Sequence, residues 1–295
     1  MSQGTFIKDL LPYIYYRRKE VGCLSNLEQR MKILISDLDG TLYPTRDSDD
    51  QQWFPRNKEA VLKWIKTGNR FAVATARSIG HYSVLCEKLG FNVDYIGGNG
   101  AEVILETGEE ILKEMPMAIF IDLCNFIIEN GINASVMTID DGWQWSSIDC
   151  YPIKNASTYR SVWDHIKLAD LGSMDPEKGI HRIMILTPPE ERDNLKEIIA
   201  SRNYDAVISS SDIDSIDIVP PNCSKGIAIK ELCKRYQVDP SNVIVVGDSE
   251  NDIAMLEVTK NSYAMINAEK KVQQKATYIT QSVAELINIE LDKDK

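Results

Sequence analysis

Short apolar runs that each stop at a polar residue set the tightest constraint on how this chain can fold. Ile33-Leu34-Ile35-Ser36 stops at Asp37, Phe71-Ala72-Val73-Ala74 at Thr75, and Val243-Ile244-Val245-Val246 at Gly247-Asp248. Tyr95-Ile96 leads in the same way into Gly97-Gly98-Asn99-Gly100. Runs this short and this apolar are strands covered on both faces, the condition of a parallel sheet flanked by helices. The intervening stretches carry helical periodicity over 56–67, 78–89 and 226–236, the first two ended by Gly68 and Gly90. Parallel strands deliver their carboxyl ends to one edge, so Asp37, Thr75 and Asp248 are expected to converge there.

A different pattern separates the two halves. A helix is predicted over 116–130, then two alternating runs, 133–139 and 143–148, meet at Asp141-Gly142, the composition of a hairpin turn. A helix near 157–169, a strand from His181 to Leu186, a helix over 189–201 and strands over 206–210 and 213–219 follow. Antiparallel hairpins inside a parallel pattern indicate an insertion. The sequence therefore predicts an α/β fold with a Rossmann-like, doubly wound parallel-sheet core split into residues 31–104 and 219–289. An α+β cap domain is inserted at 105–218, and an N-terminal extension occupies 1–30.

Composition removes several function classes. Against 44 Asp and Glu stand 33 Lys and Arg, a net charge of −11, which argues against binding that depends on neutralising nucleic-acid phosphates. No run approaches the roughly 20 apolar residues of a membrane span, and the N-terminus lacks a signal-peptide pattern, so a cytoplasmic location is expected. The 6 cysteines are scattered without a CxxC pair and are read as reduced thiols. Nothing in the sequence sets an oligomeric state.

Acidic residues carry the chemistry. In Asp37-Leu38-Asp39-Gly40-Thr41 one carboxylate closes a strand and a second follows two residues later, with Gly40 permitting a sharp turn. Such a cluster also makes an ordinary Asx-type turn. Gly247-Asp248-Ser249-Glu250-Asn251-Asp252, taken alone, reads as a helix cap. Together the two segments bring Asp37, Asp39, Asp248 and Asp252 to one sheet edge, where that much negative charge is costly without a cation. Oxygen-only ligands select a hard ion, and Mg2+ is the one expected. Lys225, opening a helix, and the Thr75 hydroxyl would complete a receptor for phosphate.

The order DxDGT, strand-ending Thr, Lys and GDxxND resembles that of the haloacid dehalogenase superfamily over residues 31 to about 280. Asn99-Gly100-Ala101 and the large insertion are similar to the Cof-type branch with its α/β cap. The resemblance implies a Mg2+-dependent phosphatase acting on a small phosphorylated metabolite, most simply a sugar phosphate. It casts Asp37 as nucleophile and Asp39 as acid and base, with Thr75, Lys225 and Asn251 on the phosphate. Side chains of Asp37 and Asp248 and the Asp39 carbonyl would hold the metal, with Asp252 orienting it or adding a ligand. A phosphotransferase or mutase would use the same residues and differ only in the acceptor, and a scaffold that kept the fold would lack turnover. The extension and the tail, Ser282-Val283-Ala284-Glu285 in place of Asp-Gly-Val, depart from the family pattern.

Other features stay open. Phe6, Ile7, Leu10, Leu11, Ile14 and Tyr15 at near-helical spacing suit a helix on the body or a partner, or contact with a membrane surface. Trp143, Gln144 and Trp145 suit either strand packing or a sugar-stacking surface. Arg77 suits either a surface ion pair or a part in the site. His81, His165 and His181 show no ligand spacing and are expected to be structural.

Overall fold

The computed structural model describes residues 31–45, 48–140, 143–146, 166–168 and 170–293, with only the backbone described at 139–140, 143–146 and 166–168. The N-terminal extension and the side chains of Trp143, Gln144, Trp145 and His165 lie outside the described residues.

An eight-stranded sheet forms the larger body. Its first strands are β1 (Ile33–Ser36), β2 (Arg70–Ala74), β3 (Asp94–Gly97), β4 (Glu102–Ile104) and β5 (Glu110–Leu112). The chain returns to it with β14 (Val243–Gly247), β15 (Ser262–Met265) and β16 (Tyr278–Thr280), in the order β16-β15-β14-β1-β2-β3-β4-β5. Pairing is parallel from β16 to β3 and antiparallel from β3 through β5. The sheet thus gains two short strands the sequence pattern did not announce, the second of them, β5, past residue 104.

Side chains alternate between two cores, as a strand period of two requires. Leu34, Phe71, Val73, Tyr95, Ile244 and Val246 pack with Trp64, Leu85 and Leu286 on one face. Those three belong to α1 (Trp53–Lys66), α2 (Tyr82–Leu89) and, near the C-terminus, α8 (Val283–Lys293). Ile33, Ile35, Ala72, Ala74, Val243 and Val245 pack with Ala228, Ile229, Met255 and Val272 on the other face. These lie on α5 (Lys225–Tyr236), α6 (Ile253–Leu256) and α7 (Lys270–Gln273). Strand order runs outward from β1 on one side and from β14 on the other, so right-handed crossovers place their helices on opposite faces. The reversal falls between β1 and β14, where a crevice opens beyond the carboxyl ends of the strands.

A second sheet, order β12-β13-β11-β7-β8-β9, is built from the intervening chain. It contains β7 (Ser135–Asp140), β8 (Trp143–Ser146), β9 (Ile166–Leu168), β11 (Ile183–Leu186), β12 (Val207–Ser209) and β13 (Ser215–Val219). A two-stranded ladder of β6 (Met115–Pro116) and β10 (Gly179–Ile180) adjoins it. Two helices, α3 (Met117–Glu129) and α4 (Pro189–Ser201), share its core through Phe120, Leu123, Ile127, Leu195 and Ile199, packed with Val136, Ile183, Ile185, Ile216 and Ile218. The helix expected near 157–169 is corrected at its end: 166–168 is a strand paired parallel to β8, and 157–165 lies outside the described residues.

Two ties fix where this smaller body sits. Arg182 donates through Nη1 to the carbonyl of Ala76, and Lys196 of α4 pairs with Glu250. Both receptors lie just after carboxyl ends of the main sheet, so the second sheet approaches the edge where the acidic residues collect. Among the described residues no helix is long and apolar enough to cross a membrane, and Cys86, Cys223 and Cys233 are free thiols.

Candidate active site

Asp37 leaves β1 extended, and its backbone N–H donates to the Val246 carbonyl at 2.9 Å, so it hangs between β1 and β14 at the reversal. The chain then makes a wide turn, closed by Leu42 N–H to Asp37 O at 3.2 Å and Tyr43 N–H to Leu38 O at 2.7 Å. Gly40 turns the backbone at φ +82°, and a Cβ there would run into the Asp248 carboxylate. Glycine is required on both counts. Buried Asn57 holds the turn from outside, donating to the Leu42 carbonyl at 3.0 Å and accepting from Ala284 N–H at 3.0 Å. The altered tail thus still contacts the support of the first motif.

Carboxylate oxygens of Asp37, Asp248 and Asp252 lie within 4.8 Å of one another. Lys225 stands among them, 1% exposed, with Nζ 2.6 Å from Oδ1 of both Asp37 and Asp252. It is placed there by the first turn of α5, where the Ser224 hydroxyl accepts from Ile227 N–H at 3.1 Å. The other oxygen of Asp252 accepts from Asp248 and Ser249 N–H at 2.8 and 2.9 Å. Both oxygens are therefore engaged, which favours Asp252 as the residue that shapes the loop carrying Asp248. Thr41 donates to Asp248 Oδ1 at 3.2 Å. The capping motif anticipated for this loop is also present, in Ser249 and Asp252.

The electrostatics are those of a crowded acidic site. Burial raises the Asp37 carboxyl well above its ordinary value, Asp252 and Asp248 push it further, and Lys225 pulls it back only in part. Burial and then Asp252 push Asp248 up to about 7. Burial alone would lower Lys225, but the Asp252 and Asp37 charges outweigh it and hold the ammonium above its ordinary value. One ammonium against three carboxylates leaves an excess of negative charge that a hard, oxygen-seeking cation would relieve. The donor set therefore fits Mg2+.

Asp39, two residues on, points elsewhere. Its exposed carboxylate is gripped by the Arg77 fork, Nε to Oδ2 and Nη2 to Oδ1, each at 2.7 Å. This assigns Arg77 to an ion pair at the rim of the site. Arg77 also approaches His81 Nδ1 at 3.3 Å, and burial together with the Arg77 charge pushes His81 down to about 4. His81 is neutral near pH 7. His181 contacts the Lys113 carbonyl through Nδ1 at 2.9 Å. Thr75 is buried where β2 ends, its N–H bonded to the Ile96 carbonyl at 2.8 Å and its hydroxyl accepting from Arg77 N–H at 3.1 Å. Asn251 donates to Asn99 Oδ1 at 2.9 Å. The structure thus gathers Asp37, Asp248, Asp252 and Lys225 into one cluster and sets Asp39, Thr75 and Asn251 on neighbouring loops. Asn99 is the addition, and its sequence signal was its place just beyond a strand end; of the two roles open to Arg77 in sequence, the structure selects the ion pair with Asp39.

The sequence profile of a family described as haloacid dehalogenase-like hydrolase matches residues 34–286. A phosphoglycolate phosphatase of Nitrosopumilus maritimus is 31% identical over 180 residues, covering 60% of this chain and 74% of that protein. The 5-amino-6-(5-phospho-D-ribitylamino)uracil phosphatase YwtE of Bacillus subtilis is 23% identical over 280 residues, covering 85% of this chain and 93% of its own. Among solved structures, the Thermotoga maritima protein TM0651 superposes with a TM-score of 0.70 at 24% identity, covering 88% of this chain and 97% of that one. The last shows likeness of fold.

Proposed function

Because the chain belongs to the haloacid dehalogenase-like hydrolases, we propose that it is a Mg2+-dependent phosphatase of the Cof-type branch acting through an aspartyl-phosphate on Asp37. Its substrate is a small phosphorylated metabolite, a sugar phosphate by family analogy, and its setting is the cytoplasm. The observation that carries the reading is the position of Asp37: at the reversal of the sheet, beside Lys225, in a cluster of three carboxylates.

Asp37 and Asp248, with the Asp39 carbonyl, would hold the metal, and Asp252 would orient the loop carrying Asp248. Bound there, Mg2+ supplies the positive charge that lets a carboxylate and a phosphate dianion approach. Asp37 attacks phosphorus and the ester oxygen leaves with a proton from Asp39. The same Asp39, now a carboxylate, takes a proton from the water that attacks the aspartyl-phosphate, which releases phosphate and restores Asp37. Asp39 must leave the Arg77 fork to do this. Lys225, Thr75 and Asn251 bind the phosphoryl oxygens as their charge shifts. The inserted body, proposed over 105–218, acts as the cap over the site and excludes water once substrate has entered.

A phosphate-release screen over phosphorylated metabolites, with and without Mg2+, tests this reading. Separation of free phosphate from an isomerised phosphosugar distinguishes hydrolysis from phosphoryl transfer to another hydroxyl. Hydrolysis of no compound would leave the scaffold reading in its place.

A further inference from the structure

The turn between β3 and β4 holds a carboxamide that backbone geometry alone does not explain. Asn99 adopts φ +53°, ψ +31°, a left-handed conformation that Gly and Asn tolerate. Its N–H donates to the Thr75 carbonyl at 3.1 Å. Gly100 next to it lies so close to the Ser224 backbone that a Cβ would collide. The turn is therefore wedged between the loop carrying Thr75 and the start of the helix carrying Lys225. Through its side chain it reaches the third loop, accepting from Asn251 Nδ2 at 2.9 Å.

Asn99 is 3% exposed, yet its Nδ2 has no hydrogen-bond partner among the described residues, and neither does Asn251 Oδ1. Exchanging oxygen and nitrogen on both amides would still leave one donor and one acceptor without partners. A buried donor left unpaired carries its full desolvation cost, and glycine would satisfy the left-handed backbone without it. Nothing in the turn itself offsets that cost; an oxygen-bearing ligand would.

We propose that Asn99 is a positioning residue of the site: it fixes the Asn251 carboxamide, and the pair forms a polar subsite completed by an oxygen of the phosphoryl ligand. The proposal rests on the placement of Asn251 at the phosphate in the reading above. It adds a residue that joins the Thr75, Lys225 and Asn251 loops into one wall.

Two variants separate the carboxamide from the backbone. Asn99→Gly keeps the left-handed turn and removes the side chain; Asn99→Asp keeps the shape and the acceptor for Asn251 but removes the donor. Calorimetric titration with inorganic phosphate in the presence of Mg2+ reads the subsite without turnover, and kcat/KM for p-nitrophenyl phosphate reads it with turnover. Both variants are expected to bind phosphate about 10-fold or more weakly, with unfolding midpoints close to the wild type. Asn99→Gly added to Asn251→Ala is expected to cost no further affinity, because the two act as a unit. Wild-type phosphate affinity in Asn99→Gly, or full additivity in the double variant, would overturn the proposal, as would a wild type that binds no phosphate. Phosphate binding without hydrolysis of any ester would sink the phosphatase reading while the Asn99 result still stood or fell by its own affinities.

Discussion

The Lys225 ammonium lies 2.6 Å from Asp37 on one side and 2.6 Å from Asp252 on the other, closing a bridge between the two halves of the split core. Asp37 ends the first strand of the first half, whereas Lys225 and Asp252 belong to the second. The site is therefore part of what holds the halves in register. Removing one partner of a buried pair leaves charge without compensation, at about 3–5 kcal/mol. Lys225→Met is expected to lower the unfolding free energy by that order in urea titrations, and to abolish phosphate release. Asp37→Asn introduced alongside should recover part of the stability and none of the activity.

Asp39 is predicted to work in both halves of the reaction, while Asp37 works as nucleophile. In Asp39→Asn the phosphorylated enzyme should accumulate, since water then lacks its base, and turnover should fall by about 100- to 10,000-fold. Mass spectrometry of the acid-quenched variant is expected to find a phosphoryl group on the peptide containing Asp37. A good leaving group such as p-nitrophenol should still give a first-turnover burst, because its departure needs no acid.

The raised Asp248 carboxyl gives a pH dependence of definite sign. Its value in the folded protein is about 7 against an ordinary 3.8, so the folded state holds the proton more tightly. The stabilisation from that proton is complete below the ordinary value and is lost as pH rises through about 7. Metal-free protein should lose stability across this window relative to Asp248→Asn, whose profile is flatter. Added Mg2+ should stabilise the wild type more at about pH 8 than at about pH 5, since it competes with the proton. Thermal unfolding at several pH values, with chelator and with Mg2+, measures both.

How much of this was legible in sequence varies with the range of the contact. α4 spans Pro189–Ser201 where periodicity places it, because two prolines and two glutamates mark its start locally. Strands β1 and β14 were legible because burial on both faces leaves a uniform apolar run. β4 and β5 were not, since three-residue strands carrying Glu102 and Glu110 show no such run. The convergence of Asp37 and Asp248 was legible through strand direction, which needs only that the sheet be parallel, whereas Lys225 opens a helix and was expected there only as part of a phosphate receptor. The Arg77 grip on Asp39 was not, because it depends on how far two turns from different strands lean toward each other. The engagement of both Asp252 oxygens was likewise a matter of loop geometry.

Arg182 is buried against Asp217, which is fully covered, while its Nη1 reaches the Ala76 carbonyl between Thr75 and Arg77. Arg182→Met should destabilise the smaller body by about 3–5 kcal/mol through the stranded Asp217. Arg182→Met with Asp217→Leu should recover most of that stability. Activity should stay reduced in the double variant, because the tie to the Thr75 loop is still missing. Denaturant titration beside kcat/KM for the three proteins tests the separation.

Phosphate release by the wild type and by Asp37→Asn, measured side by side on the best ester and at the same Mg2+ concentration, bears most directly on the account. Wild-type protein is expected to release phosphate only with Mg2+ present, and a folded Asp37→Asn none above background. Equal rates from the two proteins would contradict it.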